Sequence, residues 1–332
     1  MTKRAIANVG FSAGGVALLA GCSGPQSVFE ARGAEAQEIM PLFWTVTWIA
    51  VAVTVLVVAF MAIALLAPER WRRRLTSEKV VVGFGIFLPV FVLSGLLTYG
   101  LLVMQAGSAR SRSAEGPGIT IVGEQWWWRV VYDGPDGKQI VSANELRLPV
   151  GRQIAIRLES DNVIHSFWAP QLAGKLDMIP GRTNTLTIEA TEPGISRAQC
   201  AEYCGGAHAF MSMYVVAMEP DAYRQWLEAE ADPATEPVDA VRRRGQQLFM
   251  EHGCGGCHAV RGTPAAGTIG PDLTHVGSRH SLAAARLPND PQSFRRWLTE
   301  NQHIKPDNFM PEYDVFSNSE LDSIVAYLDG LE

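Results

Sequence analysis

The sequence predicts a multi-domain chain: a two-helix membrane hairpin, then an all-β domain, then a small all-α domain. Three observations carry this. Two long apolar stretches, residues 40–66 and 80–103, flank a basic loop. Runs of alternating apolar and polar residues, bracketed by Gly and Pro, recur through residues 119–218. A Cys-x-x-Cys-His motif at residues 254–258 precedes a capped amphipathic helix near residue 332. The length of 332 residues suggests about two domains. A hydrophobic fraction of 47% excludes disorder over most of the chain. The 31 Gly and 19 Pro show no period, which excludes a collagen-like chain, and five Cys are too few for a disulfide scaffold. A net charge of −6 argues against a nucleic-acid partner.

Residues 1–21 read as a signal peptide, with Lys3 and Arg4 ahead of a small-residue apolar run. Leu19-Ala20-Gly21-Cys22 resembles a bacterial lipobox, which implies lipidation of Cys22. Residues 22–39 would be an exported tether. At about 1.5 Å per residue, spans 40–66 and 80–104 each exceed the ~30 Å hydrocarbon core. The loop 67–79 holds Arg70, Arg72, Arg73, Arg74 and Lys79, so it stays in the cytoplasm and both ends lie outside. Linkers are expected at 105–118, rich in Ser and Gly, and at 229–238, which holds Pro233 and Pro237. They delimit a β domain over 119–228 and a helical domain over 239–332.

The β domain should use residues 153–158, 183–188, 119–132 and 213–218 as strands, forming a sandwich. Its chemistry lies in Cys200-Ala-Glu202-Tyr-Cys204-Gly-Gly-Ala-His208-Ala-Phe-Met211, with His165 upstream. Thiolate, imidazole and thioether form a soft donor set that favours copper. Two thiolates with two imidazoles suit two sulfur-bridged copper ions. Met213 competes with Met211, and spacing favours Met211. The bland alternatives are an exported disulfide between the two cysteines and simple core packing for the Trp residues.

This pattern, with Val163-Ile-His165-Ser-Phe-Trp168, resembles subunit II of haem–copper cytochrome c oxidase over about residues 40–228. The resemblance implies a cupredoxin barrel carrying the dinuclear CuA centre. Cys200 and Cys204 would bridge both coppers. His165 and Met211 would complete one copper, and His208 with the Glu202 carbonyl the other. The Glu202 carboxylate would help hold Mg²⁺ at the subunit I interface. Val122-Gly-Glu-Gln-Trp126-Trp-Trp128 resembles the family's Gln-Trp-aromatic-Trp segment, so Trp126 would accept incoming electrons. Glu124 stands where the family commonly has His. Glu78 resembles a family glutamate at a proton path, or is simply a carboxylate at a helix start.

Cys254-Gly-Gly-Cys257-His258 is a c-type haem attachment motif, with His258 as axial ligand. A redox dithiol is the alternative. Gly270-Pro271-Asp272-Leu273 and Ile304-Lys-Pro-Asp-Asn-Phe-Met310-Pro311 resemble segments of class I cytochromes c, which makes Met310 the sixth ligand. A helix over residues 242–250 should end near Gly253. Ser317 and Glu320 form a capping box, and Leu321, Ile324, Val325 and Leu328 then follow on one helix face. Arg279 reads equally as a propionate partner or a surface residue. His252, His275, His280 and His303 read as solvated or packing residues. All five Cys then have a role.

Together these resemblances imply a caa3-type terminal oxidase subunit in the bacterial cytoplasmic membrane, its two domains on the periplasmic face. Electrons from a quinol–cytochrome c reductase or a cytochrome c would pass through haem c and CuA to subunit I, with subunit III as a further partner. There dioxygen is reduced to water with proton pumping. A flexible tether after Glu228 would raise the effective concentration of the donor domain. A membrane-anchored carrier serving another acceptor would share both cofactors; co-purification with a many-helix subunit separates the two.

Overall fold

The structure, a computed structural model, describes residues 23–111, 118–134 and 137–332. The signal segment and Cys22 lie outside them. Helix α1 (Ala34–Leu66) starts six residues ahead of the apolar span. A short helix α2 (Glu69–Leu75) carries Arg72, Arg73 and Arg74 in its last turn. Then α3 (Glu78–Val82), a π turn (Gly83–Phe87) and α4 (Leu88–Ser111) form one continuous return helix. Helix α4 therefore runs into the expected linker, because Gln105 and Ala106 favour helix over loop. The side chains of both spans face outward, with Trp48, Val55 and Leu65 more than half exposed. Such apolar faces need a lipid solvent. Thr45, Thr47, Thr54 and Thr98 donate their hydroxyls to carbonyls one turn back, which satisfies them without water.

Among the described residues the β domain holds ten strands: β1 (Ile119–Glu124), β2 (Trp127–Asp133), β3 (Gln139–Ala143), β4 (Glu145–Pro149), β5 (Ile154–Ser160), β6 (His165–Trp168), β7 (Leu176–Met178), β8 (Asn184–Ile188), β9 (Gly194–Cys200) and β10 (Ser212–Met218). They build two five-stranded sheets, ordered β3-β2-β1-β5-β8 and β4-β10-β9-β6-β7. The β1–β5 and β10–β4 pairs are parallel and the rest antiparallel. The run 119–132, expected as one stretch, turns back at Gln125–Trp126 into β1 and β2. Alternation along β5 puts Ile154, Ile156 and Leu158 inward, against Trp128, Tyr132 and Phe167 in a dry core. Helix α5 (Pro220–Ala231) closes one end, with Trp226 edge-on to Tyr132 at 5.1 Å.

The C-terminal domain comprises α6 (Ala240–Glu251), α7 (Pro291–Ile304) and α8 (Asn318–Asp329), with a two-residue hairpin β11 (Ser281–Leu282) and β12 (Leu287–Pro288). Asp239 and Asp290 cap α6 and α7 by accepting from Arg242 N and Ser293 N. Both halves of the expected capping box are made at Ser317 and Glu320. Gly253, at φ 75°, ends the α6 turn. Helix α6 crosses α8 at Gly245, where a Cβ would lie 2.0 Å from the Ser323 carbonyl oxygen. Gly245→Ala should part the helices and cost about 1–3 kcal/mol. Hydrogen exchange in α6 and α8 of the detergent-purified chain checks this; unchanged protection would refute it.

The expected flexible tether is instead pinned. Arg261 donates to the Glu230 carbonyl, His275 Nε2 to the Asp232 carbonyl, and Ala234 N to the Arg261 carbonyl. Prolines limit the freedom this segment loses on ordering, and its backbone carbonyls match donors on the helical domain.

Candidate metal and haem sites

Strand β6 and the ends of β9 and β10 meet at one corner of the β domain. Ligand atoms of His165, Cys200 and Cys204 all lie within 4.8 Å of one another, buried. The two sulfurs are 3.8 Å apart, so both cysteines are free thiols and not a disulfide. Cys204 Sγ lies 3.4 Å from His208 Nδ1 and 3.8 Å from Met211 Sδ. Cys200 Sγ lies 3.8 Å from His165 Nδ1 and 3.1 Å from the Glu202 carbonyl oxygen. All six expected groups converge, although His165 comes from a separate strand. Met213 is buried on β10 opposite Ala198. The hydrogen bond from Cys204 drives the Cys200 thiol down toward thiolate, and the same contact pushes Cys204 up.

Two supports were not foreseen. The Asn162 side-chain oxygen pairs with His165 Nε2 at 3.1 Å. An amide oxygen only accepts, so Nε2 carries the proton and Nδ1 keeps its lone pair toward the sulfurs. Gly123 lies flat against the same ring, where a Cβ would stand 2.7 Å from His165 Cδ2. Asn and Gly are frequent in turns, so nothing local to their sequence marks either role.

Trp126 is 6% exposed, and its Nε1 donates to the Cys204 carbonyl at 2.9 Å. Trp128 is core, edge-on to Phe167. Glu202 and Tyr203 project outward, Tyr203 being 76% exposed, and Val163 and Ile164, just ahead of His165, are exposed too.

In the helical domain an apolar cavity is lined by Cys254, Cys257, His258 and Met310 among others. His258 Nδ1 donates to the Pro271 carbonyl at 2.7 Å, which turns Nε2 toward the cavity. Burial pushes the His258 pKa down, favouring the neutral ring that a metal binds. Gly270 backs this imidazole as Gly123 backs the other, with a Cβ position 2.6 Å from Cε1. Met310 is hung from α7: its carbonyl accepts from Gln302, and buried Asn301 donates to the Pro311 carbonyl. Arg279 lines the cavity, donates to the Asp272 carbonyl, and keeps a buried Nε without a partner. The cavity wall is completed by Trp126 and Trp127 of the β domain.

Residues 133–218 match the family described as cytochrome c oxidase subunit II, periplasmic domain, and residues 243–332 match the family cytochrome c. The chain thus carries a cytochrome c oxidase subunit II periplasmic domain and a cytochrome c domain in one polypeptide. A cytochrome c oxidase subunit 2 of Alkalihalophilus pseudofirmus is 36% identical over 214 residues, 64% of this chain and 61% of that one. Another, of Bacillus sp. (strain PS3), is 28% identical over 264 residues, 76% of this chain and 72% of that one. The chain thus spans under two thirds of the first relative's length. The periplasmic domain of subunit II from Bradyrhizobium japonicum is 30% identical over 34% of this chain and 92% of that one, with a TM-score of 0.33.

These two domains imply copper CuA and haem c in this chain. The residues fit both groups. Two free thiols, two imidazoles, a thioether and a carbonyl form the soft set that a copper pair requires. An apolar cavity with two thiols and a neutral imidazole at its wall suits covalent haem. The two apolar helices make it a membrane-anchored chain with a periplasmic domain.

Proposed function

We propose that this chain is the electron-accepting subunit of a caa3-type terminal oxidase in the bacterial inner membrane. It passes electrons from haem c to CuA and on to subunit I, where dioxygen is reduced to water with proton pumping. One observation carries the reading. The haem cavity reaches Trp126, and the Trp126 indole is hydrogen-bonded to the Cys204 carbonyl, so one side chain joins the two sites.

When bound, the two groups supply one-electron redox chemistry. Cys200, Cys204, His165, His208, Met211 and the Glu202 carbonyl would together hold the copper pair. Cys254 and Cys257 would hold the haem through thioethers, and His258 and Met310 would supply its iron ligands; Met/His ligation raises a haem potential. Trp126 is the electron-accepting side chain. The outward Glu202 carboxylate would share a Mg²⁺ with subunit I. The exposed apolar side chains of Val163, Ile164 and Tyr203, next in sequence to candidate ligands, support docking of that subunit here. Subunit III is a further partner, and a quinol–cytochrome c reductase or a cytochrome c is the donor. Cys22 would carry the lipid.

Metal analysis with absorption spectroscopy of the purified full chain tests this. Two coppers per iron, a reduced c-type α band and a near-infrared mixed-valence band are expected. A single blue copper, or none, would leave only a membrane-tethered cytochrome.

A further inference from the structure

The two exported domains meet through built contacts. Glu145 accepts from His280 at 2.8 Å, Arg129 donates to the Thr268 carbonyl at 2.7 Å, and Arg261 donates to the Val141 carbonyl at 2.9 Å. At the centre sits Lys305, the residue that closes α7. It is 3% exposed, and its ammonium donates to the Trp126 carbonyl at 2.5 Å. Among the ion pairs of the described residues none uses Lys305. An ammonium buried without a carboxylate is costly, and a lysine at a helix end reaches water easily. Its burial here follows from contact with the other domain.

The rest of the loop reinforces that contact. Phe309 stacks on the Trp126 indole, with centroids 5.7 Å apart and an interplanar angle of 25°. Asp307 packs on Gly206, where a Cβ would fall 2.1 Å from its carboxylate. The loop 305–309 therefore covers both Trp126 and the segment between Cys204 and His208. The pinned tether holds it there.

We propose that Lys305 is a positioning residue that fastens the helical domain over Trp126, so that an outside c-type cytochrome reaches the helical domain but not Trp126. This rests on the relay reading above. The intact oxidase complex provides the test, with Lys305→Met, which keeps the apolar stem and removes the donor. Hydrogen exchange at residues 123–129 and 301–309 should quicken about 10- to 100-fold, the range for losing a charged hydrogen bond, while α6 and α8 stay protected. Phe309→Ala should loosen the same amides by less. Flash reduction by a ruthenium-labelled soluble cytochrome c reads access. In the unaltered chain copper is reduced only after haem c, and in Lys305→Met a direct phase appears. Unchanged exchange in Lys305→Met overturns the inference. So does loosening that spreads into α6 and α8, or a direct phase equally large in the unaltered chain. A missing near-infrared band would overturn the relay reading instead, because exchange reports the contact without any metal.

Discussion

Cys204→Ser should remove the copper pair and leave haem attachment intact. Cys204 Sγ is the hub of the site, within 3.8 Å of Cys200 Sγ, 3.4 Å of His208 Nδ1 and 3.8 Å of Met211 Sδ. A serine hydroxyl has nearly the same shape, so the buried corner should still pack. A hydroxyl is a hard, weakly acidic donor and cannot bridge soft copper as a thiolate does. Copper per iron should fall from two to one or less, and the near-infrared band should vanish. The c-type α band should be unchanged, because Cys254 and Cys257 lie in another domain. Intrachain reduction of copper by haem c should then be lost. Two coppers with an intact band in this variant would remove Cys204 from the ligand set.

The second large effect concerns Glu145, a carboxylate that ties the β domain to the helical domain. It is 5% exposed on β4, accepts from His280 N and Nδ1 at 2.8 Å, and pairs with Arg147 at 2.6 Å. Burial alone would raise its pKa. The hydrogen bond from His280 and the Arg147 charge outweigh that and hold it at about 2 against 4.5. A depressed carboxylate stabilises the fold above its unfolded value and loses that contribution as pH falls. The shift from 4.5 to about 2 is worth about 3 kcal/mol at neutral pH. Glu145→Gln should cost about that much, since it leaves the Arg147 charge buried without its partner. Denaturation of the purified chain at several pH values checks it. The gap between the two proteins should stay constant above 4.5 and close as pH falls toward about 2. A gap that is absent at neutral pH would show the pair to be neutral to stability.

Much of this molecule is legible without coordinates, for reasons that are local. The hairpin follows from unbroken apolarity and a basic loop. The fold adds six helical residues before the first apolar span and carries α4 past the second to Ser111. The candidate copper loop is readable because five of its expected donor groups sit within twelve consecutive residues. The haem motif is five consecutive residues, and the α8 cap is a four-residue pattern that the structure repeats. Glu145, Lys305 and His280 carry no such mark. Nothing in the sequence marks them, because the partner each finds across the domain contact lies more than a hundred positions away.

The amino-acid sequence by itself therefore determined the order of the two matched domains and which candidate donor side chains each short loop carries, since spacing along the chain sets which atoms a short loop presents. Only the tertiary structure decided which nitrogen of His165 and His258 faces its site, why Gly123 and Gly270 must lack a side chain, and that the tether is pinned with Lys305 buried against Trp126. Those depend on surfaces brought together by folding, and a buried charge or a flat backbone has meaning only once its neighbour is in place.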